Sequence, residues 1–228
     1  MINRNNAALA CVLGLFSLAG AAQAANVDIV IDGGFEQAGI DGVPVDPPGA
    51  VPPGWVGFTN GAPMEISIGT TTDNVFDGAY SLAVNNNRDS GGSGVIKAGN
   101  LGIGLVQPNS EVTVSFWARG SAGVGSFTEA VLFSELDGGG VSFTDNFGQL
   151  ALTDDWQFFE FTGMTGGDVG GGISLQFASI TGAVPGAFAE LYLDNVMITV
   201  AAVPVPAAVW LFGTALGLLG LRRRRLAA

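Results

Sequence analysis

The stretch Glu111–Arg119, EVTVSFWAR, alternates strictly between two sets of side chains. One set is apolar and the other is mostly polar: Val112, Val114, Phe116 and Ala118 against Glu111, Thr113, Ser115, Trp117 and Arg119. Successive side chains of a β-strand point to opposite faces of the sheet, so this pattern predicts a strand with one buried and one outward face. The apolar row is expected in the core, and Trp117 and Arg119 are expected outside it.

Other segments show the same preference for strands, being rich in β-branched and aromatic residues. They are Val27–Ile31, Met64–Ile68, Tyr80–Val84, Trp156–Phe161, Ile173–Ile180 and Phe188–Val200. Glycine clusters between them predict turns or loops at Gly91–Gly94, Asp137–Gly140 and Gly166–Gly172, and the proline-rich stretch Pro44–Pro53 predicts another loop. No long amphipathic helix is evident between the two ends, so the pattern predicts an all-β sandwich.

The first 24 residues have the three-part layout of a secretory signal peptide. A short start with Arg4 leads into the apolar run Ala7–Ala19, and AQA at 22–24 supplies a small-x-small cleavage site. Signal peptidase would release a mature chain that begins at Ala25. The alternative is a short buried N-terminal helix. Cleavage removes Cys11, the single cysteine, so the mature chain is expected to form no disulfide.

The chain ends in an apolar run followed by arginines. Only Thr214 is polar in Ala207–Leu221, which as a helix covers about 22 Å, short of the ~30 Å hydrocarbon core. Starting at Val203 lengthens the helix, since prolines are tolerated in its first turn. The cluster Arg222–Arg225 is expected to stay in the cytoplasm, which puts the body of the protein outside. These features alone fit either a permanent or a removable membrane anchor.

The order of these elements closely resembles the PEP-CTERM sorting tail of Gram-negative bacteria, which has a proline motif, a transmembrane helix and an arginine cluster. The matching residues are Val203, Pro204, Val205 and Pro206 for the motif and Arg222, Arg223, Arg224 and Arg225 for the cluster. Val205 stands where the family name has glutamate, as in a VPxP subtype. The resemblance implies an intermediate tethered to the inner membrane, processing by an exosortase, and delivery to the cell surface or extracellular matrix. Whether the tail is only cut or is transferred to an acceptor stays open.

The body of the chain, residues 25–202, is strongly acidic and contains no histidine. It holds all 20 acidic residues, whereas its positive charges are only Arg88, Lys97 and Arg119. Such a surface repels phosphate backbones, so nucleic acid is not expected as a partner. The lack of histidine and of mature cysteine excludes Ser-His-Asp and Cys-His catalysis and histidine-ligated zinc.

Six short motifs follow one another along the body. They are DGGFE at Asp32–Glu36, GW at Gly54-Trp55, DGAYSL at Asp77–Leu82, VSFWAR at Val114–Arg119, WQF at Trp156–Phe158 and LYLDNV at Leu191–Val196. In order and spacing they resemble carbohydrate-binding modules with a galactose-binding-domain-like jelly roll. Asp32 takes the place of the usual asparagine. The resemblance implies a single jelly-roll domain over residues 25–202.

The same resemblance implies a structural calcium ion that pins the first and last strands together. Its carboxylate ligands would be Glu36, Asp77 and Asp194, with backbone oxygens from Gly34 and Tyr80. Calcium takes about six to eight oxygen ligands at about 2.3–2.6 Å, and carboxylates at separate strand ends can supply them. The alternative is that each carboxylate caps a turn in water.

Modules of this kind stack a sugar ring on an exposed aromatic side chain. Trp117 is the candidate here, with Arg119 on the same strand face and Gln176 as a polar neighbour on a nearby strand. The alternative is that Trp117 is packed against another part of the chain. Trp55 and Trp156 are interpreted as packing residues.

The expected function is that of a non-catalytic surface or matrix protein that binds polysaccharide. One alternative is a structural protein of the exopolysaccharide layer without a sugar site, and another is a glycan-active enzyme. A glycosidase needs two carboxylates that flank the scissile bond. The one adjacent acidic pair, Asp154-Asp155, precedes a predicted strand and is interpreted as part of a solvated turn.

Overall fold

A computed structural model of the protein describes residues 26–36, 54–60 and 65–201. The strands in this part of the chain are β1 (Asn26–Asp28), β2 (Trp55–Asn60), β3 (Ile66–Thr71), β4 (Ser81–Asn86), β5 (Gly92–Leu101), β6 (Glu111–Ala122), β7 (Ser126–Glu135), β8 (Val141–Gln149), β9 (Gln157–Met164), β10 (Ile173–Thr181) and β11 (Ala189–Ala201). The described ranges contain no helix with the length and apolar character that a membrane span needs. The two predicted terminal helices and the sorting motif, Val203–Pro206 with Arg222–Arg225, lie outside the described residues.

The strands form two antiparallel sheets. The front sheet has the order β3-β4-β11-β6-β9, with β1 paired to β11, and the back sheet has the order β2-β5-β10-β7-β8. Most neighbours within a sheet are distant in sequence, so the chain crosses repeatedly between the sheets. Apolar side chains from both sheets form one buried cluster between them. The predicted all-β sandwich is thereby confirmed.

Phe116 of β6 joins the two layers of the core. Its ring is fully buried and stacks on Phe159 of the front sheet, with 5.4 Å between the ring centroids. It also meets the ring of Phe177 of the back sheet edge-on, at a centroid distance of 4.8 Å. The other members of its row are buried too: Val112, Val114 and Ala118. The apolar row of β6 therefore faces the core, as its alternation predicted.

The glycine cluster Gly91–Gly94, predicted as a turn, leads directly into β5 and contributes its first residues. Gly94 pairs with Ser179 of β10 inside the back sheet. A Cβ atom on Gly94 would lie 2.9 Å from Cγ2 of Ile66 and 3.2 Å from Cγ1 of Val84, both on the front sheet. Glycine is used here because the side chains of the opposite sheet occupy the space that its own side chain would need. The two other glycine clusters form turns and loops, as predicted.

The DGGFE loop docks on the LYLDNV strand, so two of the quoted motifs meet in space. The N–H of Val196 donates to the carbonyl of Gly33 at 2.8 Å, and a Cβ atom on Gly33 would lie 1.9 Å from the Val196 carbonyl oxygen. Phe35 follows with a left-handed φ of 58°, unusual for a phenylalanine. Its buried ring contacts Trp55, with 5.2 Å between the ring centroids. Trp55 is therefore a packing residue, as predicted, and the loop brings Glu36 against Ala79 and Tyr80, which precede β4.

Candidate functional site

The outward side of the front sheet, called the outer face below, carries aromatic and polar side chains in rows. Three cross-strand pairs of β6 and β11 share it: Ser121–Glu190, Arg119–Tyr192 and Trp117–Asp194. On β9, Phe158 lies opposite Trp117 and extends that row. The alternation that buries Phe116 turns these side chains outward. The predicted placement of Trp117 and Arg119 on one face outside the core is confirmed.

Four rings on the outer face touch one another and form an aromatic cluster: Phe76, Trp117, Trp156 and Phe158. The ring of Phe76 stacks on the indole of Trp117, with 3.9 Å between centroids and 17° between planes. Phe158 lies 5.5 Å from Trp117, and Trp156 lies 5.8 Å from Phe76, both measured between centroids. Phe158 is 53% exposed and Phe76 is 37% exposed. The cluster therefore presents aromatic surface to solvent mainly through these two phenylalanines.

The full exposure expected of Trp117 is not observed. The side chain is half-buried, because the ring of Phe76 covers it from a loop that precedes β4. Trp156, interpreted as a packing residue, is also half-buried and lies beside Phe76. An aromatic surface exists where the alternation of β6 placed it, but its most open ring is Phe158.

Of the two polar residues predicted beside Trp117, Arg119 lies on the same face and Gln176 does not. Arg119 is half-buried on the outer face, and its Nε atom is buried without a hydrogen-bond partner among the described residues. Gln176 belongs to β10 of the back sheet, where it lies opposite Lys97 and Val131. Its predicted proximity to Trp117 is wrong, because the outward sides of the two sheets point away from each other. Strand patterns alone do not say which sheet a strand joins.

A buried carboxylate holds the loop that carries Phe76. Asp194 is fully buried, and its Oδ2 accepts hydrogen bonds from the backbone N–H groups of Phe76 and Asp77, each at 3.1 Å. Its Oδ1 accepts from the N–H of Asn195 at 2.8 Å. Burial raises the pKa of Asp194, these three hydrogen bonds oppose the rise, and the nearby charge of Glu36 adds to it. Asp194 thus keeps Phe76 in place above the sheet.

Glu36 binds the same loop a few residues further on. Its carboxylate accepts hydrogen bonds from the N–H groups of Ala79, at 3.0 Å, and Tyr80, at 3.2 Å. Asp77 directs its own carboxylate to the N–H of Gly78 at 2.9 Å. Tyr80 therefore meets Glu36 through its N–H, whereas the calcium prediction uses its carbonyl oxygen. Gly34 lies beside Glu36 in the DGGFE loop.

The residues present fit a calcium ion in part. The charges of Glu36 and Asp194 are close enough to oppose each other, and a cation bound to both would relieve that repulsion. However, over residues 26–36, 54–60 and 65–201 no three Asp, Glu, His or Cys side chains are grouped as metal ligands. Two carboxylates and backbone oxygens are the donors that this place offers. Their hydrogen bonds to backbone N–H groups also give both carboxylates a role that needs no metal.

A pocket of about 550 Å³ lies at one end of the outer face, at the Ser121–Glu190 pair. The residues that line it include the acidic Asp89 and Glu190, the polar Asn87 and Ser121, and the aromatic Phe188. Neither carboxylate makes a hydrogen bond or an ion pair within the described part of the chain. The pocket therefore offers free acceptors beside an aromatic ring.

Several residues of this face were missed by sequence reasoning. For Phe158 a usable signal existed, since the alternation that buries Phe159 and Phe161 turns Phe158 outward. For Phe76 no local pattern exists, because it lies in a loop and reaches Trp117 only through the folded chain. The pocket combines loops that follow β4 and precede β11, which no motif links.

The architecture defines a class: an antiparallel β-sandwich with an aromatic outer face. No protein-family model matches the chain, and no curated protein matches it. The enzymatically active domain of tailspike protein 4 from bacteriophage CBA120 is similar to it, with a TM-score of 0.51 and 14% identity. That similarity covers 75% of this chain and 21% of the tailspike chain, so the protein spans about a fifth of that neighbour's length.

Smaller solved domains also superpose on the chain. The CBM22-1 xylan-binding domain from Paenibacillus barcinonensis Xyn10C has a TM-score of 0.46 and 16% identity over 81% of this chain and 99% of that one. TmCBM61, solved with β-1,4-galactotriose, has a TM-score of 0.40 and 16% identity over 75% of this chain and 97% of that one. Identities this low describe a likeness of fold alone.

Proposed function

We propose that the protein is a non-catalytic, exported surface or matrix protein that binds polysaccharide on the outer face of its front sheet. The observation that carries this proposal is the aromatic cluster, in which Phe158 and Phe76 keep large apolar rings in contact with water. Contiguous exposed apolar surface on a soluble domain marks a place where something binds. The apolar C–H face of a sugar ring recovers that surface when it stacks on an aromatic side chain.

Polar groups flank the cluster on both sides along the strands. On one side lies the Arg119–Tyr192 pair, and on the other side lies the Ser115–Glu160 pair of β6 and β9. A sugar stacked on the cluster would find hydrogen-bond donors and acceptors for its hydroxyl groups in both directions. An aromatic floor with a few polar groups at its rim is the composition expected of a small-molecule or sugar site.

The proposal is one of binding without cleavage. Asp154 and Asp155 are exposed in the turn before β9 and do not face each other across a cleft. Glu36 and Asp194, the two carboxylates that bind the Phe76 loop from outside it, are occupied by backbone N–H groups. The carboxylates that flank the aromatic cluster, Glu160 and Glu190, lie level with Ser115 and Ser121 of β6. These positions are about 20 Å apart along the strand, farther than the ~5–9.5 Å that separates the two carboxylates of a glycoside hydrolase.

The remaining parts of the proposal concern the ends of the chain and calcium. Residues 1–24 act as a signal peptide, residues 25–202 as the binding domain, and residues 203–228 as a removable PEP-CTERM-like tail read by an exosortase-type enzyme. The support for both ends is the order of residues in the sequence. The support for calcium is the repulsion between Glu36 and Asp194, with their resemblance to calcium ligands of carbohydrate-binding modules.

The test is affinity electrophoresis of the purified mature domain through gels that contain one polysaccharide each. Phe158→Ala is expected to abolish most retardation by the polysaccharide that slows the wild type. Phe58→Ala is the matched control, because Phe58 is 51% exposed but lies on β2 of the back sheet. It is expected to leave retardation unchanged.

Two results would contradict the proposal. The first is a wild-type domain, folded by circular dichroism, that no polysaccharide in the panel retards; this would favour the structural matrix protein without a sugar site. The second is release of reducing ends from a polysaccharide by the pure domain, which would show an enzyme.

A further inference from the structure

The aromatic cluster and the pocket lie at two ends of one continuous strip on the outer face. Along β6 the outward side chains run from Trp117 through Arg119 to Ser121, and Ser121 lines the pocket. Alternate residues of a strand are about 6.7 Å apart, so Trp117 and Ser121 are separated by about 13 Å. Glu190 and Tyr192 run beside them on β11. A ligand that covers this strip must therefore be longer than the single ring that one aromatic side chain holds.

The pocket end of the strip is negatively charged, and its two acidic residues form no ion pair with another described residue. Asp89 and Glu190 line it, and both carboxylates are free of hydrogen bonds and ion pairs within the described residues. Free carboxylates are strong acceptors for hydroxyl donors, because charge-assisted hydrogen bonds are shorter and stronger than neutral ones. A second carboxylate or a sulfate group brought to the same place would be repelled by both.

The few cations of the domain do not offset this charge. Arg88 is paired with Glu65, with 3.5 Å between Nη1 and Oε2. Lys97 lies on the back sheet and is paired with Glu135, with 2.7 Å between Nζ and Oε1. Arg119 is therefore the one cation of the described residues that lies on the strip itself. The surrounding domain is acidic as well, so the field along the strip disfavours anions.

We infer that the ligand is an uncharged glycan chain that lies along β6 and β11, with one ring on the aromatic cluster and a later sugar in the pocket. This inference rests on the proposed function and adds the substrate class. Phe188 packs against the sugar in the pocket, and Asp89 and Glu190 accept hydrogen bonds from its hydroxyl groups. Polysaccharides that carry uronate or sulfate groups are disfavoured by the same two carboxylates.

The experiment pairs neutral polysaccharides with charged counterparts of similar backbone. Dextran is compared with dextran sulfate, and arabinoxylan with glucuronoxylan, by affinity electrophoresis and calorimetry of the mature domain. We expect a neutral member to bind. At low salt its charged counterpart is expected to bind at least about fivefold more weakly, because the repulsion between its anionic groups and the pocket carboxylates is then little screened. The difference is expected to shrink as salt is raised.

Variants of the pocket separate its contribution from that of the cluster. Phe188→Ala is expected to weaken binding of the neutral polysaccharide. Asp89→Asn with Glu190→Gln is expected to weaken neutral binding and to raise binding of the charged counterpart. The control is Glu129→Gln with Asp137→Asn, which removes the same charge from β7 and the β7–β8 turn of the back sheet. It is expected to change neither.

The outcomes distinguish this inference from the proposed function. If the charged member of a pair binds as tightly as the neutral one, or if the pocket variants bind like the wild type while Phe158→Ala does not bind, the inference is overturned and the proposed function stands. If the folded wild type binds no polysaccharide at all, both the proposed function and this inference are refuted.

Discussion

The ring of Phe76 lies flat on the indole of Trp117, and the backbone N–H of Phe76 is held by the buried carboxylate of Asp194. Asp194 is also the residue directly opposite Trp117 across the β6–β11 ladder. One carboxylate thus ties the loop to the sheet at the place where the loop supplies an aromatic ring. The position of Phe76 in the aromatic cluster therefore depends on its hydrogen bond to Asp194.

Asp194→Ala is therefore expected to destabilise the domain and loosen the aromatic cluster together. Three backbone N–H groups lose their acceptor, and an unmet hydrogen bond of this kind costs about 1–3 kcal/mol. The free energy of unfolding is measured by urea titration, and the environment of Trp117 by tryptophan fluorescence. Asp73→Asn is the control in the same loop, because Asp73 is exposed. Equal effects of the two variants would contradict the role given to Asp194.

Phe116→Ala is expected to cost about 3–5 kcal/mol, because it opens a cavity between the two sheets where the rings of Phe159 and Phe177 meet. Trp117→Ala is expected to cost less, about 1–3 kcal/mol, because Trp117 packs only on the half-buried outer face. Urea unfolding of the two variants measures the difference. If Trp117→Ala lowers the free energy of unfolding as much as Phe116→Ala does, Trp117 is a core residue and is not available as the central ring of a binding surface.

The pair Lys97–Glu135 is expected to make stability depend on acid pH. Burial raises the pKa of Glu135, but hydrogen bonds from Lys97 and Ser174 and the charge of Lys97 outweigh it, so the net shift is downward. A carboxyl group with a lowered folded pKa stabilises the protein above its unfolded pKa of about 4.3, and this stability is lost as the pH falls through the folded pKa. Glu135→Gln is expected to lower stability at pH 7 and to flatten the decline below about pH 4.5. Glu129→Gln, on the same strand, is the control, and a similar profile for both variants would refute the prediction.

Calcium is expected to raise the melting temperature of the mature domain, and chelation to lower it. An ion bound only to the folded state adds about 2.7 kcal/mol at a hundredfold excess over its dissociation constant. Glu36→Gln, Asp77→Asn and Asp194→Asn are expected to weaken the calcium effect, with Glu36 and Asp194 dominant because Asp77 is turned to the N–H of Gly78. A melting temperature indifferent to chelator would leave these carboxylates as acceptors of backbone N–H groups alone.

The mature protein is expected to begin at or next to Ala25 and to lack Trp210–Leu221. The small-x-small site at 22–24 and the proline motif before an arginine cluster motivate both ends. Mass spectrometry of protein recovered from medium and cell envelope measures them. Intact chain ending at Ala228 and persisting in the membrane of a strain with a working exosortase would contradict the removable tail.

Seven of the eleven described strands were predicted from the sequence, whereas β2, β5, β7 and β8 were not. Each predicted strand segment overlaps an observed one, because one buried face imposes a period of two on the residues that line it. β5 was missed because its first residues include glycines, which give no apolar pattern. Side chains of the opposite sheet fill the space beside Gly94. β8 was missed because its residues are largely exposed at a sheet edge, where burial selects few apolar side chains.

The sequence by itself determined the sandwich and the inner and outer rows of β6, since these depend on the local period of apolar side chains. Only the tertiary structure decided that Gln176 lies on the other sheet, that Phe76 covers Trp117, and that Asp89 and Glu190 share a pocket. Such contacts depend on strand order and loop paths, which are settled by packing across the whole domain. These contacts therefore cannot be predicted from the residue pattern of any single stretch of the chain.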